Sequence, residues 1–392
     1  MKNGTIRLAI VSGLLHHAQG GPATAVRSHF HALHPHMQVT VLGVTSREQR
    51  ADVERDLPGS RLFPLAWPRR WFRGSGLSAA LWQELPHCDV VHAHMLWDHP
   101  VWAAWRVARA LHKPLIITPH GSLMDAWRYR TWHKRLYRHV LLDRMLRTTT
   151  FLHALSPWEE DACRQAGVST PIRVIPNGLD VGAFQPLGTV EGALARWPIL
   201  TGKRVLLYLG RLWEEKGVTE LVTAWAQLGG EYGATDWHLV LAGADYRDYR
   251  QRLIQQLRQL AVQDRVLLPG EVTGQAKADL FALGEGFVLP SRSEGLSSAL
   301  LEAMAAGLPV VYTRGCHFPV LAQRGGGIEV PTGVEGVRQG VQQLLLLDGH
   351  TLRQMGDRAK ALAQQDYSME RVTKALRALY QEAIQQQIVA TV

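Results

Sequence analysis

Residues 286–312 contain a strand, a polar loop, a short helix and a second strand in quick succession, and this unit most constrains how the chain can fold. Gly286–Leu289 is short and apolar, as buried strands of parallel sheets are. Ala299–Ala306 is rich in alanine and leucine, which have high helix propensity. Val310–Tyr312 is β-branched and aromatic and predicts the next strand. Strand and helix patterns continue to alternate along the chain, which indicates an α/β protein.

The loop and helix start of this unit can bind an anion. Ser297 or Ser298 can cap the helix, and the free N–H groups of its first turn lie at the positive end of the helix dipole, which suits a diphosphate. Glu294 in the loop and Glu302 on the second helical turn bracket that position. Because carboxylates repel phosphate, they are better explained as acceptors for the neutral hydroxyls of a ribose or a sugar. An ordinary helix with two solvated glutamates is the alternative.

The segment S-E-G-L-x-x-x-L-L-E-A-M-A-A-G-L-P-V-V resembles the Glu-x7-Glu signature of retaining glycosyltransferases with the GT-B fold, family 4 (glycosyl transferases group 1). The resemblance covers nearly the whole chain, with I-P-N-G-L-D at residues 175–180 and G-R-L-x-x-x-K-G at residues 210–217. It implies an α/β fold of two Rossmann-like domains facing across a cleft. We expect an acceptor-side domain over residues 1–185, a nucleotide-sugar-binding domain over residues 186–366, and a C-terminal helix over residues 367–392 that crosses back to the first domain.

The resemblance also implies roles for residues of the second domain. Arg211 and Lys216 would neutralise the departing diphosphate without a metal ion, since a guanidinium fork and an ammonium group both bind phosphate. Glu294 would hold hydroxyls of the donor sugar, and Glu302 those of the ribose. The other expected donor-binding residues of this domain lie on three loops: Gly210, Glu271, Val272, Gly295, Leu296, Ser297 and Ser298. The sequence contains no Asp-x-Asp, the metal-binding signature of the other large glycosyltransferase fold, so we expect transfer without metal or cofactor.

In the first domain the resemblance points to the ends of two strands. His120 follows the predicted strand Pro114–Thr118 and matches the T-x-H-G segment of the family, which contacts the donor sugar. Ligands of open α/β sheets bind outside the carboxyl ends of the strands, so His120 completes the expected catalytic set with the two cations and the loop glutamate. Gly20 and Gly21 form a turn after the first strand, where glycine lets the backbone approach a ligand closely. The resemblance places them near the donor phosphates.

Histidines are frequent in the first domain and raise the question of a metal site. Several lie around the first helix without cysteines or acids at the spacing of metal ligands, so we expect surface positions for them: His16, His17, His29, His31, His34 and His36. His92 and His94 form an H-x-H that could bind a metal ion. The resemblance implies instead that they line the cleft, so no metal ligand is expected.

The positive charge of the chain is concentrated in the first domain. Residues 1–185 carry 22 Lys and Arg against 13 Asp and Glu, whereas residues 186–392 carry 21 of each. Such an excess indicates an anionic partner. Residues 126–147, with seven Lys or Arg beside a helix-spaced apolar stripe, and residues 67–73, with three arginines among three aromatics, could contact anionic membrane lipids. Packing of both segments on the core is the alternative; no nucleic-acid-binding motif is present.

The sequence shows no secretory leader and no run of about twenty apolar residues, and its three cysteines lack paired spacing. We therefore expect a cytoplasmic protein, with peripheral attachment to the inner face of the plasma membrane as an option. The resemblance implies a hexosyltransferase that uses a UDP- or GDP-type sugar nucleotide and a glycan or lipid-linked acceptor, in bacterial exopolysaccharide or lipopolysaccharide synthesis. A non-catalytic nucleotide-sugar-binding protein and a sugar-nucleotide epimerase of the same fold are the alternatives.

Overall fold

The computed structural model describes residues 5–13, 15–16, 20–123, 136–179, 188–229 and 236–391. The chain forms two compact units, one comprising Met1–Gly178 with Met369–Val392 and the other Leu179–Ser368. In each unit a parallel sheet is covered by helices, with strand order and connections of the Rossmann type. The expected α/β class with two Rossmann-like domains is confirmed.

Among the described residues, the sheet of the first unit has seven parallel strands in the order β3-β2-β1-β4-β5-β6-β7. Their bounds are β1 (Arg7–Ser12), β2 (Gln38–Thr45), β3 (Arg61–Pro64), β4 (Val90–His94), β5 (Leu115–Thr118), β6 (Phe151–Ala154) and β7 (Ile172–Val174). The helices between them are α1 (Gly21–Leu33), α2 (Arg50–Asp56), α3 (Leu77–Glu84), α4 (His99–Ala110), α5 (Asp143–Arg147) and α6 (Pro157–Gln165). Central strands such as β1 and β4 are buried along almost their whole length, because helices cover both faces of the sheet.

The sheet of the second unit has the order β10-β9-β8-β11-β12-β13. Its strands are β8 (Arg204–Leu209), β9 (Trp237–Ala242), β10 (Val266–Gly270), β11 (Gly286–Leu289), β12 (Val310–Thr313) and β13 (Gly327–Val330). Its helices are α7 (Val190–Arg196), α8 (Val218–Leu228), α9 (Tyr249–Gln259), α10 (Gly274–Leu283), α11 (Ser298–Ala305), α12 (Pro319–Gln323), α13 (Val334–Leu345) and α14 (Gly349–Asp366). The last helix of the chain, α15 (Met369–Thr391), belongs to the first unit, where it contacts α1 and β4.

Both sheets reverse their strand order at one point. In the first unit β1 pairs with β2 on one side and β4 on the other, and in the second unit β8 pairs with β9 and β11. At such a switch point the loops after the two central strands diverge and leave a crevice at the carboxyl edge of the sheet, where ligands of this fold class bind. The unit predicted over residues 286–312 is confirmed as β11, α11 and β12, and it supplies one of these two loops in the second sheet.

Among the described residues, no helix is both long enough and apolar enough to cross a membrane. The predicted basic helix over residues 126–147 is described only from Leu136 onward. There Leu142, Met145 and Leu146 are buried against the sheet, whereas Leu136 is 55% exposed. The aromatic segment at residues 67–73 is also partly packed and partly exposed. The Trp71 ring packs on the helix α4, whereas the Trp67 side chain is 82% exposed.

Candidate active site

The loop after β8 carries both cations that the sequence motif predicts. Arg211 is exposed, and its guanidinium carbon lies 5.8 Å from the centroid of the Tyr246 ring. Lys216 ends a single 3-10 turn and is followed by Gly217 in the left-handed conformation, at φ 68°. A Cβ at position 217 would lie 2.1 Å from the carbonyl oxygen of Pro290. Only glycine therefore lets the loop after β8 lie directly against the loop after β11.

These two loops are joined through a charged pair. The Lys216 Nζ donates a hydrogen bond of 2.5 Å to Glu294 Oε1, and the Ser291 hydroxyl donates to the same oxygen at 2.7 Å. The side chains of Lys216 and Glu294 are only 19% and 10% exposed. Charge-assisted hydrogen bonds of this kind are strong when little water competes for either group. The structure thus holds the loop glutamate in one orientation.

The backbone between Glu294 and α11 is also tightly fixed. The Glu294 N–H donates to the Gly315 carbonyl at 2.8 Å, and a Cβ at position 315 would lie 2.4 Å from the Arg292 carbonyl oxygen. Ser297 is the helix cap, since its hydroxyl accepts from the Leu300 N–H at 3.4 Å. The helix α11 then begins at Ser298, so its first-turn N–H groups face the carboxyl edge of the sheet.

Glu302 lies on the same helix and is paired with a residue that sequence analysis missed. The Lys277 Nζ on α10 donates to Glu302 Oε1 at 2.7 Å, and Glu302 is 9% exposed. Burial raises the pKa of Glu302, while the nearby ammonium group acts in the opposite direction. Nothing in the sequence marks Lys277, because the two residues are on different helices and meet only in the folded unit.

The remaining donor-binding residues predicted for the second unit lie at the same edge of its sheet. Gly210 follows β8, and its N–H donates to the Ala242 carbonyl at 3.0 Å. Glu271 is exposed and Val272 is partly buried in the loop that follows β10. Gly295 and Leu296 continue the loop after β11, and the Leu296 side chain packs on the core. The second unit therefore brings together, around its switch point, cations, carboxylates and a helix start.

In the first unit His120 follows β5, with its backbone in the left-handed conformation at φ 51°. The loop is fixed by Glu159, whose carboxylate accepts from the Gly121 N–H at 2.5 Å and the Leu155 N–H at 2.7 Å. Ser156 and Glu159 match a capping box, and the Ser156 hydroxyl accepts from the Glu159 N–H at 3.1 Å. That sequence pattern could have singled out Glu159, although not its reach to the loop after β5.

The ring of His120 is paired with a second histidine. His120 Nε2 lies 2.9 Å from His94 Nδ1. Burial and the neighbouring His153 lower the pKa of His120 to about 3, so its imidazole is neutral at pH 7. Gly20 precedes α1 at φ 82°, and Gly21 is the first residue of that helix. Both glycines thus lie at the start of α1, in the turn that sequence analysis predicted; residues 14 and 17–19 of the same loop lie outside the described residues.

The expectation of surface positions for the histidines around α1 is correct for His31, His34 and His36, which are exposed, and wrong for His16 and His29, which are buried. His17 is outside the described residues. Position 29 belongs to the apolar stripe of α1, three residues after Val26 and four before Leu33, so it faces the sheet.

The expectation that His92 and His94 line a cleft is also wrong. Both side chains have no exposed surface. Their rings lie about 6 Å from the ring of His29 on α1, and His92 Nδ1 lies 2.9 Å from the hydroxyl of Tyr380 on α15.

Comparison with known proteins agrees with the fold. Residues 193–362 match the family described as glycosyl transferases group 1, and residues 19–182 match glycosyltransferase family 4. The chain belongs to the GT-B glycosyltransferases of the family 4 type.

Several glycosyltransferases are similar to this one. The GDP-mannose:cellobiosyl-diphosphopolyprenol alpha-mannosyltransferase of Xanthomonas oryzae pv. oryzae is 28% identical over 287 residues, which are 70% of each chain. The glycogen synthase of Mycobacterium tuberculosis is 30% identical over 271 residues, 66% of this chain and 60% of that one. The crystal structure of Anabaena HepE with UDP and glucose has a TM-score of 0.79 at 17% identity, covering 96% of this chain and all of that one.

Proposed function

We propose that this glycosyltransferase moves a hexosyl group, with retention of configuration and without a metal ion in the chemical step, from a UDP- or GDP-type sugar nucleotide to a glycan or lipid-linked acceptor. The observation that carries the proposal is the hydrogen bond between Lys216 and Glu294. This bond supports the proposal because an ammonium group can bind phosphate and the carboxylate beside it can accept hydrogen bonds from sugar hydroxyls.

The leaving diphosphate would be stabilised by fixed positive groups. Arg211 and Lys216 contribute full charges, and the N–H groups at the start of α11 contribute the positive end of a helix dipole. These groups would stabilise the negative charge that develops on the leaving diphosphate as the bond between the sugar and the phosphate breaks. Glu294 would accept hydrogen bonds from hydroxyls of the transferred sugar, and Glu302 from those of the ribose.

His120 would contact the transferred sugar as a neutral ring. With its pKa lowered to about 3, it can accept or donate a hydrogen bond at pH 7 but brings no positive charge. We assign no covalent nucleophile. Transfer on the same face of the sugar would then proceed with the leaving phosphate taking the proton of the acceptor hydroxyl.

A lipid-linked acceptor is supported by a relative and by the surface of the first unit. The relative from Xanthomonas is named for a diphosphopolyprenol acceptor. Trp67 and the neighbouring Arg69, Arg70 and Arg73 are exposed, and aromatic and basic side chains favour the membrane interface. We therefore propose a cytoplasmic enzyme, peripheral on the inner face of the plasma membrane through residues 67–73 and 126–147, in exopolysaccharide or lipopolysaccharide synthesis.

The function is tested by assaying transfer and donor binding on the same variants. Glu294→Ala should abolish transfer to a lipid-linked acceptor while leaving the Kd for the nucleoside diphosphate within about threefold, because the carboxylate is assigned to the sugar and not to the phosphates. Glu191→Ala, at an exposed position on α7, is the control for a glutamate-to-alanine substitution outside the candidate site. Equal loss of transfer and nucleotide binding would refute the role of Glu294. Inverted configuration of the product in nuclear magnetic resonance spectra would refute retention.

A further inference from the structure

Three buried histidines come together in the core of the first unit. His29 on α1 and His92 and His94 on β4 each have one ring nitrogen within 4.8 Å of those of the other two. None of the three side chains has exposed surface. Two more histidine rings border them, His153 on β6 and His120 after β5.

The hydrogen bonding of this cluster is incomplete. Neither ring nitrogen of His29 has a hydrogen-bond partner, and Nε2 of His94 has none. A buried polar atom without a partner costs folding free energy. A leucine at position 29 would fill the same stripe of α1 without that cost, so the packing of the helix does not explain the histidine.

The tautomer of His92 follows from a chain of hydrogen bonds. His153 Nε2 must donate to the Ile175 carbonyl at 2.7 Å, so His153 Nδ1 accepts from the Thr118 hydroxyl at 2.8 Å. The Thr118 oxygen then accepts from His92 Nε2 at 2.7 Å. This leaves a lone pair on His92 Nδ1, which accepts from the Tyr380 hydroxyl at 2.9 Å. An ion that binds this lone pair displaces the hydrogen bond from the buried Tyr380 hydroxyl.

We propose that His29, His92 and His94 bind a divalent transition-metal ion, with zinc as the representative of the class. Imidazole nitrogen suits zinc, copper, nickel and ferrous iron, whereas calcium and magnesium require oxygen ligands. Among the described residues the group consists of histidines alone. Three histidines are a known ligand set for zinc and leave the fourth coordination position open.

The geometry of the cluster is compatible with an ion. Ligand nitrogens about 2.0–2.1 Å from zinc in a tetrahedral site are about 3.3 Å apart, so the rings must close by at most about 1.5 Å. Rotation of the His29 side chain, which no hydrogen bond restrains, can supply much of that movement.

Binding of the ion would also set the orientation of His120. If His94 binds through its unpartnered Nε2, its Nδ1 must carry the proton and donate to His120 Nε2, 2.9 Å away. Outer hydrogen bonds of this kind fix the tautomer and ring orientation of the groups that they join. His120 would then carry its own proton on Nδ1. This consequence for catalysis rests on the proposed role of His120, whereas the ion site itself does not.

The site is tested with cobalt and zinc on the chelator-stripped full-length protein. Wild type should take up one Co²⁺ per chain with the intense visible bands of tetrahedral coordination, and one Zn²⁺ should displace it and raise the Tm. His29→Leu should weaken Zn²⁺ binding by more than about tenfold, since loss of a ligand exceeds the effect of losing an outer hydrogen bond. His31→Leu, exposed on the same helix, should bind as wild type does.

Two results would overturn the proposal. One is wild-type protein that retains no stoichiometric ion or shows only the weak bands of octahedral Co²⁺. The other is equal affinity in His29→Leu and wild type, which would assign binding to surface histidines. Because His29 makes no hydrogen bond, its leucine variant should fold; if it does not, the cobalt spectrum of the wild type decides alone.

Discussion

Lys216 Nζ and Glu294 Oε1 are 2.5 Å apart although 78 residues separate them along the chain. Their hydrogen bond joins the loops that follow β8 and β11, the two strands at the switch point of the second sheet. The Ser291 hydroxyl completes the arrangement. Two separate segments of the family motif therefore form one physical unit, and this coupling can be measured.

We expect the pair to show in a double-mutant cycle. Lys216→Met leaves a carboxylate, and Glu294→Gln leaves an ammonium group, in a position with little access to water. The two substitutions together should cost less stability than the sum of the single ones, with an interaction of about 1–3 kcal/mol in denaturant unfolding. The exposed Arg338–Glu335 pair on α13, with an expected interaction below about 1 kcal/mol, is the control. Additive effects at Lys216 and Glu294 would show that the pair is not formed in solution.

Glu302→Gln should separate donor binding from chemistry. If the carboxylate holds the ribose equally in the ground and transition states, its loss raises the KM for the sugar nucleotide, by about tenfold, and leaves kcat within a few-fold. The variant also removes the partner of Lys277, so a stability measurement should accompany the kinetics. A fall in kcat with an unchanged KM would contradict the assignment to the ribose.

Glu159 should support the His120 loop without contacting substrate. A glutamine at this position can present only one oxygen, so one of the N–H groups of Gly121 and Leu155 would face an NH₂ group. We expect a loss of about 1–3 kcal/mol in stability together with reduced transfer. Glu160→Gln, its neighbour on α6, should have little effect. Equal stability of the two variants would show that Glu159 does not bridge these loops.

The buried carboxyl group of Asp98 should make the stability of the protein fall as the pH rises. Its side chain caps α4 by accepting from the Val101 N–H, and burial raises its pKa from the ordinary 3.8 to about 7. Between these values the folded state binds more protons than the unfolded state, so stability falls as the pH rises from about 4 to 7. Asp98→Asn keeps a good cap and cannot ionise. It should exceed wild type in stability above pH 7, by up to about 4 kcal/mol, and match it near pH 4.

The control for Asp98 is Asp348, which is exposed and caps α14. The Thr351 hydroxyl and backbone N–H groups lower the pKa of Asp348 to about 2. Its ionised form therefore stabilises the fold above pH 4, and Asp348→Asn should lose stability there, opposite in sign to Asp98→Asn. Thermal unfolding of both variants at pH 5 and pH 8 distinguishes the two effects. The same sign for both would refute the burial argument for Asp98.

Local features of the sequence predicted the fold and part of the site. The strand Gly286–Leu289 and the serine cap of α11 depend on neighbouring residues alone, so the sequence pattern was sufficient. Lys277 was missed because its partner Glu302 is on another helix, which no spacing reveals. The capping pattern of Ser156 and Glu159 could have marked Glu159, but not its hydrogen bond to Gly121 in a distant loop. The predicted surface position of His29 was wrong because the prediction used its residue type and left out the helical periodicity. Together with Val26 and Leu33, His29 belongs to the buried stripe of α1.

The most direct measurement for the central proposal is a thermal-shift screen against UDP, GDP, ADP and their common sugar conjugates, with and without EDTA. A ligand that binds only the folded state stabilises it by about 2.7 kcal/mol at a hundredfold excess over its Kd. We predict that one nucleotide and its sugar conjugate raise the Tm, by the same increment over the ligand-free protein whether or not EDTA is present. No shift with any nucleotide at millimolar concentration would contradict a donor site around Lys216 and Glu294.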